Sequence, residues 1–481
     1  EQPGTALAGG KMSAANAQVE WEVGLKPSAN VKATDVASRF RALALQARNP
    51  GTLDVQADPL LAQVVHTARP TFAGGAEAWS PAAAAAESRR AKSPALSAAG
   101  VNGGPRVYVH QLYDEEVTEE YTDGVNQEEE SVAWTQMLLP SLALDGHWES
   151  LLFETAVKSK LLSYARSALA FSTAGVDTNL ISCHRLLLLH GPPGTGKTSL
   201  CRALAHKLVA RQSHTFAHGH LIELNAHSLF SKWFSESGKL VGSVFAKVRE
   251  LIEDRSAFGA VLVDEVESLA ASRSAALNGT EPSDAVRVVN AVLTQLDSLK
   301  AYPNVLVLAT SNITAALDAA FADRADLCLY IGLPEQRARY MILSTTVHAL
   351  NQAGLLQDFH EPDEYEPVDQ LVPRAGLDMG IIQKLTAQRS GGDAMDAEGG
   401  EQAQQGFRMS LMLYMLAQAS DGWSGRSLRR LPLLAHAEAG GEGGMPYASF
   451  LLSMHSAVRA RDHELTQFDH ETGLTNGHQR H

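Results

Sequence analysis

The sequence predicts an α/β protein: a parallel sheet core wrapped by helices, a small α+β domain before it and a helical domain after it. Three observations carry this expectation. Between Leu186 and Ile331, four or five short apolar runs (186–190, 221–224, 260–264, 304–310 and 327–331) alternate with helical spacing, the rhythm of strands joined by crossover helices. The first run, LLLLH, leads directly into GPPGTGKT and then into a helix-like stretch. Beyond residue 335 the patterning is mostly helical.

Along the first hundred residues, QVEWEVGLKPS alternates like a short strand and VASRFRALALQA has helical spacing. From Arg69 to Pro105 the composition turns to Ala, Ser, Gly and Pro, which reads as a linker or insertion. RVYVHQLY (106–113) returns to strand chemistry. The next segment, 114–130, carries nine acidic and no basic side chains and reads as a solvated loop, with docking of a partner as the rival reading. Helical spacing covers 147–171, and SDAVRVVNAVLTQLDSLK (283–300) sets Val286, Val289, Leu293 and Leu296 on one face behind Ser283 as cap. The stretch 390–406, SGGDAMDAEGGEQAQQG, reads as a disordered insert, and the chain ends in a polar tail.

Bulk properties narrow the function classes. A chain of 481 residues accommodates two or three domains. Its 40 basic and 54 acidic residues give a net charge of −14, which disfavours a nucleic-acid surface spread over the whole protein and leaves room only for a local basic patch. Cys183, Cys201 and Cys328 are too few and too scattered for a disulfide framework or zinc spacing, so a reducing compartment is expected. No apolar run approaches the length of a membrane span. The chain opens at Glu1 with neither methionine nor a signal-like segment, which reads as a fragment or a trimmed chain.

The clearest chemistry lies in Gly191-Pro192-Pro193-Gly194-Thr195-Gly196-Lys197-Thr198, followed by Ser199, which fits the G-x-x-x-x-G-K-[ST] phosphate loop. Glycines let successive backbone N–H groups turn inward around phosphate, and the following helix presents its positive end to the same anion. Lys197 is placed to reach the outer phosphates and Thr198 to bind Mg2+. About 65 residues on, the strand in AVLVDEVESL ends at Asp264-Glu265. Asp264 is placed to hold Mg2+ through water, and Glu265 to orient and deprotonate an attacking water. The other reading of this pair is a pair of carboxylates capping a strand. NVLVLATSN ends in Thr310-Ser311-Asn312, where a polar side chain would lie beside the γ-phosphate; an ordinary turn is the alternative.

Arg324, between Asp323 and Asp326, reads either as a structural salt bridge or as an arginine acting on a neighbouring subunit's nucleotide. Arg426 lies just inside a helix start with Ser424 as candidate cap; it reads as a nucleotide contact from a second domain or as a surface arginine. Trp233-Phe234 sit among Ser, Lys, Glu and Gly, and burial and exposure are equally open. Exposed, such a pair would grip polypeptide by apolar contact. The histidines of HTFAHGH (214–220) lack a carboxylate or cysteine partner for a metal, and no H-E-x-x-H motif is present.

Together, GPPGTGKTSLCRALAHKL, SLFSKWFSESGKLV, VLVDEVESL, EPSDAVRVVNAVLTQLD, TSNI, DRAD and SGRSLRRLPLLAHA resemble the pachytene checkpoint family of AAA+ ATPases, which includes the animal thyroid-hormone-receptor-interactor remodeller. The resemblance is dense over roughly residues 130–340 and returns at 420–437; SKWFSESGKL and SGRSLRRLPLLAHA are far more specific to the family than the phosphate loop. It implies a AAA+ core with a helical lid, assembled as a homohexamer with ATP and Mg2+ at subunit interfaces. It also implies action on HORMA-domain proteins, converted from a closed to an open form, with a HORMA adaptor and in meiotic or spindle-checkpoint control. On matching positions it implies Asp264 and Glu265 as the hydrolytic pair, Asn312 as first sensor, Arg324 as trans-acting finger, Arg426 as second sensor and Trp233-Phe234 as the pore-loop grip. Nucleus, on chromosomes, and cytoplasm are the implied locations.

The expected domains are 1–140 for substrate or adaptor recognition, with the linker at about 69–105, 141–333 for the ATPase, and 334–481 for the lid. The N-terminal hundred residues and the 390–406 insert depart from the family pattern. Two rival readings stand beside the remodeller. One is a AAA+ motor of another class acting on nucleic acid, against which the acidic charge and the aromatic loop weigh. The other is a nucleotide-gated scaffold, against which an intact Glu265 weighs.

Overall fold

The computed structural model describes residues 19–46, 53–72, 106–121, 132–153, 155–177, 180–225, 237–268, 284–312, 319–363, 365, 401–440 and 443–472. The chain divides into two compact units. The first comprises Glu1–Ser150, Thr155–Leu189 and Thr198–Leu329; the second comprises Leu151–Glu154, His190–Lys197 and Tyr330–His481.

The first unit opens with β1 (Val19–Leu25), α1 (Ala33–Gln46), α2 (Pro59–Val64), β2 (Val65–Phe72) and β3 (Arg106–Gln111). These strands form a sheet in the order β2-β1-β3, antiparallel for β1-β2 and parallel for β1-β3. Alternation in VEWEVGL works on both faces. Trp21, Val23 and Leu25 pack with Val36 and Phe40 of α1, whereas Glu20 and Glu22 are buried on the opposite side. Asp58 caps α2 by accepting from the N–H groups of Leu60 and Leu61, with Pro59 pre-set for the first turn.

Next come β4 (Thr118–Tyr121), β5 (Val132–Leu139), α3 (His147–Ser150), α4 (Thr155–Thr173), β6 (Leu186–His190), α5 (Lys197–Arg211) and β7 (His218–Asn225). They are followed by α6 (Ser237–Ile252), β8 (Ala257–Asp264), α7 (Asp284–Ser298), β9 (Val305–Ser311), α8 (Ala319–Ala322) and β10 (Leu327–Tyr330). All five apolar runs of the sequence become strands of one seven-stranded sheet, ordered β10-β6-β9-β8-β7-β5-β4. Pairs β7-β8 and β8-β9 are parallel, as expected, but β5-β7 and β4-β5 are antiparallel.

The expected core therefore stands, and two antiparallel strands extend the sheet at one edge. β4 and β5, which lie within the stretch 1–140 expected as the N-terminal domain, supply those two strands. β4 lies inside the acidic run read as a loop. An edge strand tolerates charged side chains because one side meets water, and Thr118 and Glu119 are exposed.

Against this sheet α6 buries Val241, Val244, Phe245, Val248 and Ile252, and α7 buries Val289, Val292, Leu293 and Leu296. The spacing is that of one helix face, and each such side chain contributes about 1.5–3 kcal/mol when fully buried. Val289, Leu293 and Leu296 are as the sequence predicts; Ser283 and the side chain of Val286 lie outside the described residues. Buried Asn304 closes the corner before β9 by donating to the carbonyls of Ile252, Asp254 and Ala257 at 2.9, 3.1 and 2.7 Å.

The second unit contains α9 (Gln336–Gln352), β11 (Leu356–Gln357), α10 (Glu401–Ala419), α11 (Gly425–Glu438), β12 (Met445–Pro446) and α12 (Tyr447–Thr472). Its core joins Leu343, Val347, Leu413, Leu428, Leu431, Tyr447, Phe450 and Met454. Buried Arg339 ties α9 to the end of α10, giving a hydrogen bond of 2.7 Å to the Ala417 carbonyl and an ion pair of 2.9 Å with Asp421. Helix α10 starts at Glu401, inside the stretch 390–406 read as a disordered insert. Directly after Gly399-Gly400, EQAQQ is made of good helix formers, and helix propensity prevails there. Residues 390–400 and the Ala/Ser-rich stretch 73–105 lie outside the described residues. Among the described residues no helix is long and apolar enough to cross a membrane.

Candidate functional site

β6 delivers a strand with four buried leucines to the loop at its end. Gly191, Gly194 and Gly196 adopt φ of 144°, 76° and 93°, a region that side chains disfavour. At Gly191 a Cβ would stand 2.2 Å from the carbonyl oxygen of Ile331, so this glycine is required by packing as well as by conformation. The break between α3 and α4, unexpected in a stretch read as one helix, places Leu151 and Phe153 beside Gly196. Lys197 is buried at the start of α5, and its ammonium donates to the carbonyls of Gly191 and Pro192 at 2.9 and 2.8 Å. The Thr195 hydroxyl donates to the Pro192 carbonyl at 3.0 Å.

A helix of the C-terminal segment begins directly on this loop. Ser424 caps α11 by accepting from the Ser427 N–H at 3.2 Å, as its sequence position predicts. The backbone N–H of Arg426 donates to the Gly194 carbonyl at 3.1 Å. A Cβ at Gly194 would meet Ser424 Oγ at 2.8 Å and Arg426 Cβ at 3.2 Å.

At the end of β8, Thr198 Oγ1 donates to both carboxylate oxygens of Asp264, at 3.0 and 3.2 Å. Thr310 Oγ1 donates to the same carboxylate and accepts from the Glu265 N–H at 3.4 Å. Glu265 itself has φ of 58°, left-handed and uncommon for a residue with a Cβ. The chain therefore turns sharply where β8 ends. A hydroxyl and a carboxylate held together offer only hard oxygen donors, the set that suits Mg2+. Among the described residues no cluster of three or more His, Cys, Asp or Glu is arranged to hold a metal.

Glu267 completes this corner. Its Oε1 accepts from the Asn312 N–H at 3.1 Å, while Oε2 is buried with no hydrogen-bond partner among the described residues. Sequence alone does not single it out, because a second glutamate after the Asp-Glu pair looks like ordinary strand-end polarity. Its only sequence signal is its place in VESL, two residues beyond Glu265.

Arg324 forms the structural salt bridge that was one of its two readings: Nε and Nη2 donate to Asp297 at 3.2 and 3.0 Å. Lys300 joins the same carboxylate at 2.7 Å. Partial burial raises the Asp297 pKa, but hydrogen bonds from Arg324 and Lys300 outweigh it and hold the carboxyl below its ordinary value. Trp233 and Phe234 lie outside the described residues.

Two protein families match the chain. Residues 187–333 match the ATPase family associated with various cellular activities, and residues 335–462 match the TRIP13-like AAA+ ATPase lid C-terminal domain. Pachytene checkpoint protein 2 homolog of Arabidopsis thaliana is 45% identical over 361 residues, covering 75% of this chain and 72% of that protein. The Danio rerio homolog of the same name is 45% identical over 344 residues, covering 71% of this chain and 74% of that protein. The solved structure of PCH-2 from C. elegans superposes with a TM-score of 0.64 at 28% identity, covering 92% of this chain and 99% of that one.

Proposed function

From the premise that this chain belongs to the pachytene checkpoint protein 2 family of AAA+ ATPases, we propose that it is a hexameric motor that uses ATP to convert HORMA-domain proteins from a closed to an open form. In this reading the HORMA protein is presented with a HORMA adaptor, in meiotic chromosome-axis or spindle-checkpoint control, on chromosomes in the nucleus and in the cytoplasm. The division of labour is an N-terminal recognition region, an ATPase core and a C-terminal lid.

The observation that carries the reading is the contact between Arg426 and Gly194. SGRSLRRLPLLAHA, the stretch most specific to the family outside the ATPase core, begins its helix on a carbonyl of the phosphate loop. A rearrangement of that loop on hydrolysis therefore acts on the lid through a backbone hydrogen bond.

Each side chain has a role in this scheme. The backbone N–H groups of Gly194, Gly196 and their neighbours, with Lys197, bind the phosphates. Thr198 and Asp264 would hold Mg2+, which when bound neutralises charge on the β- and γ-phosphates. Glu265 orients and deprotonates the attacking water, and Asn312 places it. Arg324 leaves Asp297 to reach a neighbouring subunit's nucleotide, and Arg426 senses nucleotide from the lid. Trp233 and Phe234 grip the extended substrate segment in the pore.

The test is ATP hydrolysis by the purified protein, alone and with a closed HORMA protein plus adaptor, beside Trp233→Ala and Glu265→Gln. Stimulation that is lost in Trp233→Ala, with a Glu265→Gln protein that holds ATP and substrate without turnover, is the expected result. Stimulation by DNA with the HORMA complex inert would overturn the reading in favour of a nucleic-acid motor.

A further inference from the structure

A cleft of about 1200 Å3 opens in the first unit between α4, the residues that follow α5, and the N-terminal sheet. It exceeds the roughly 300–1,000 Å3 usual for small-molecule sites. Its charge is one-sided in a protein whose net charge is −14. Lys158, Lys160, Arg166, Arg211 and His214 line it, and no carboxylate does.

The lysines and arginines differ in what they already serve. Arg211 is committed to Glu22 and Glu20, and Lys158 to the Trp148 carbonyl at 2.6 Å. Lys160 and Arg166 are exposed on α4 and pair with no carboxylate among the described residues. Unpaired cations on an acidic protein, gathered in a concave site, attract an anion strongly.

The remaining lining defines the kind of anion. Ser159, Ser163 and Ser167 recur every four residues and so form a row of hydroxyls along one face of α4. Ala156, Ala170 and Ala174 line the same cleft, are exposed and supply its apolar floor, while Leu162 and Leu169 in the lining are almost fully buried. Single-stranded nucleic acid calls for a track of cations and open aromatic faces. Here two unpaired cations stand beside aliphatic carbon, Trp148 is only 3% exposed, and the half-buried Tyr108 ring already carries the Arg211 guanidinium 5.9 Å from its centroid. We propose that this cleft binds an acidic, extended polypeptide segment of a partner protein, whose carboxylates meet Lys160 and Arg166 and whose apolar side chains lie on the floor. The proposal does not depend on the remodelling reading, because it concerns binding outside the residues assigned to nucleotide.

The experiment uses the full chain with ADP and Mg2+ and a fluorescein-labelled nonapeptide of alternating Glu and Leu, followed by fluorescence anisotropy. Saturable binding is expected, at least tenfold weaker for the Lys160→Glu, Arg166→Glu double variant and unchanged for Lys32→Glu, an exposed charge reversal outside the cleft. The Gln-Leu counterpart should not bind, and added salt should weaken the acidic peptide. A melting temperature for the double variant within a few degrees of the parent excludes misfolding. Equal binding by parent and double variant would overturn the proposal, as would tighter capture of single-stranded DNA through the same two residues.

Discussion

Glu267 holds the backbone N–H of Asn312 at 3.1 Å, joining the turn after β8 to the end of β9. Val266 N–H also donates to the Thr310 carbonyl at 3.0 Å, so the two strand ends are tied by backbone and side chain together. Asn312 is thereby positioned by a carboxylate two residues beyond the proposed base.

Removing that acceptor should slow chemistry more than binding. Glu267→Ala leaves the Asn312 N–H without its charged partner, a loss of about 1.5–3 kcal/mol where the group stays buried. At least a tenfold fall in kcat for ATP hydrolysis is expected, with nucleotide affinity within about threefold of the parent. Partial recovery in Glu267→Gln, which keeps a carbonyl oxygen, separates positioning from general loss of structure.

Gly194→Ala should weaken both the loop and its hold on α11. The substitution forces a side chain into φ of 76° and brings Cβ within 2.8 Å of Ser424 Oγ. About 1–2 kcal/mol of strain is expected, read as roughly tenfold weaker binding of a fluorescent ATP analogue. Gly354→Ala, also left-handed at 74° but with open space around it, should bind nucleotide normally.

Arg324 and Asp297 offer a contrast between stability and activity. Both side chains are about one-third exposed, so the pair contributes at most about 1 kcal/mol. Asp297→Asn should therefore shift the melting temperature by only a few degrees and leave ATPase activity in place. Arg324→Ala should shift it as little yet abolish turnover; ATPase activity near the parental rate would assign Arg324 to the salt bridge alone.

Acid should destabilise the first unit before its carboxylates titrate. Burial lowers the pKa of His110 to about 4 and that of His206 to about 3, against an ordinary value of 6.5. Below pH 6.5 the unfolded chain therefore binds more protons than the folded one, and stability falls as pH drops from there towards 4. Each ring accounts for on the order of 1–3 kcal/mol across that window. Glu22 follows. Burial raises its pKa, but Lys207 and Arg211 outweigh burial and lower it to about 2, so its contribution is complete above pH 4.5 and lost on descent through 2. Urea denaturation at pH 7.5 and 5.5 should show this loss, and His110→Phe should reduce it.

The sequence disclosed most of the core because its strands are short apolar runs between glycine-rich or polar breaks. β6, β8 and β9 read directly, since both faces of each are buried. β4 did not: TEEY is polar throughout, and its strand character comes from pairing with β5 rather than from its own composition. β2 was missed for a similar reason, because VHTARPTF alternates weakly and carries a proline. The placement of Lys197 and Thr198 at the start of α5, of Asp264 at the end of β8 and of Ser424 as a helix cap was legible from fixed spacing. Glu267 and Asp297 were not, because their roles arise from partners 45 and 27 residues away. The 147–171 helix was right in type but wrong in continuity, since its break answers to packing around Gly196 rather than to local propensity.

β1 has one more consequence. Its inner face is hydrocarbon and its outer face carries Glu22, which meets Lys207 at 2.5 Å and Arg211 at 2.6 Å on the helix that begins at the phosphate loop. Lys207 also reaches Glu149 at 2.6 Å. A boundary drawn between the N-terminal sheet and the ATPase core would thus strand buried cations on the catalytic side. In calorimetry the two should melt as one endotherm, and trimming at residue 113 should lower the melting point of what remains rather than release an independent module.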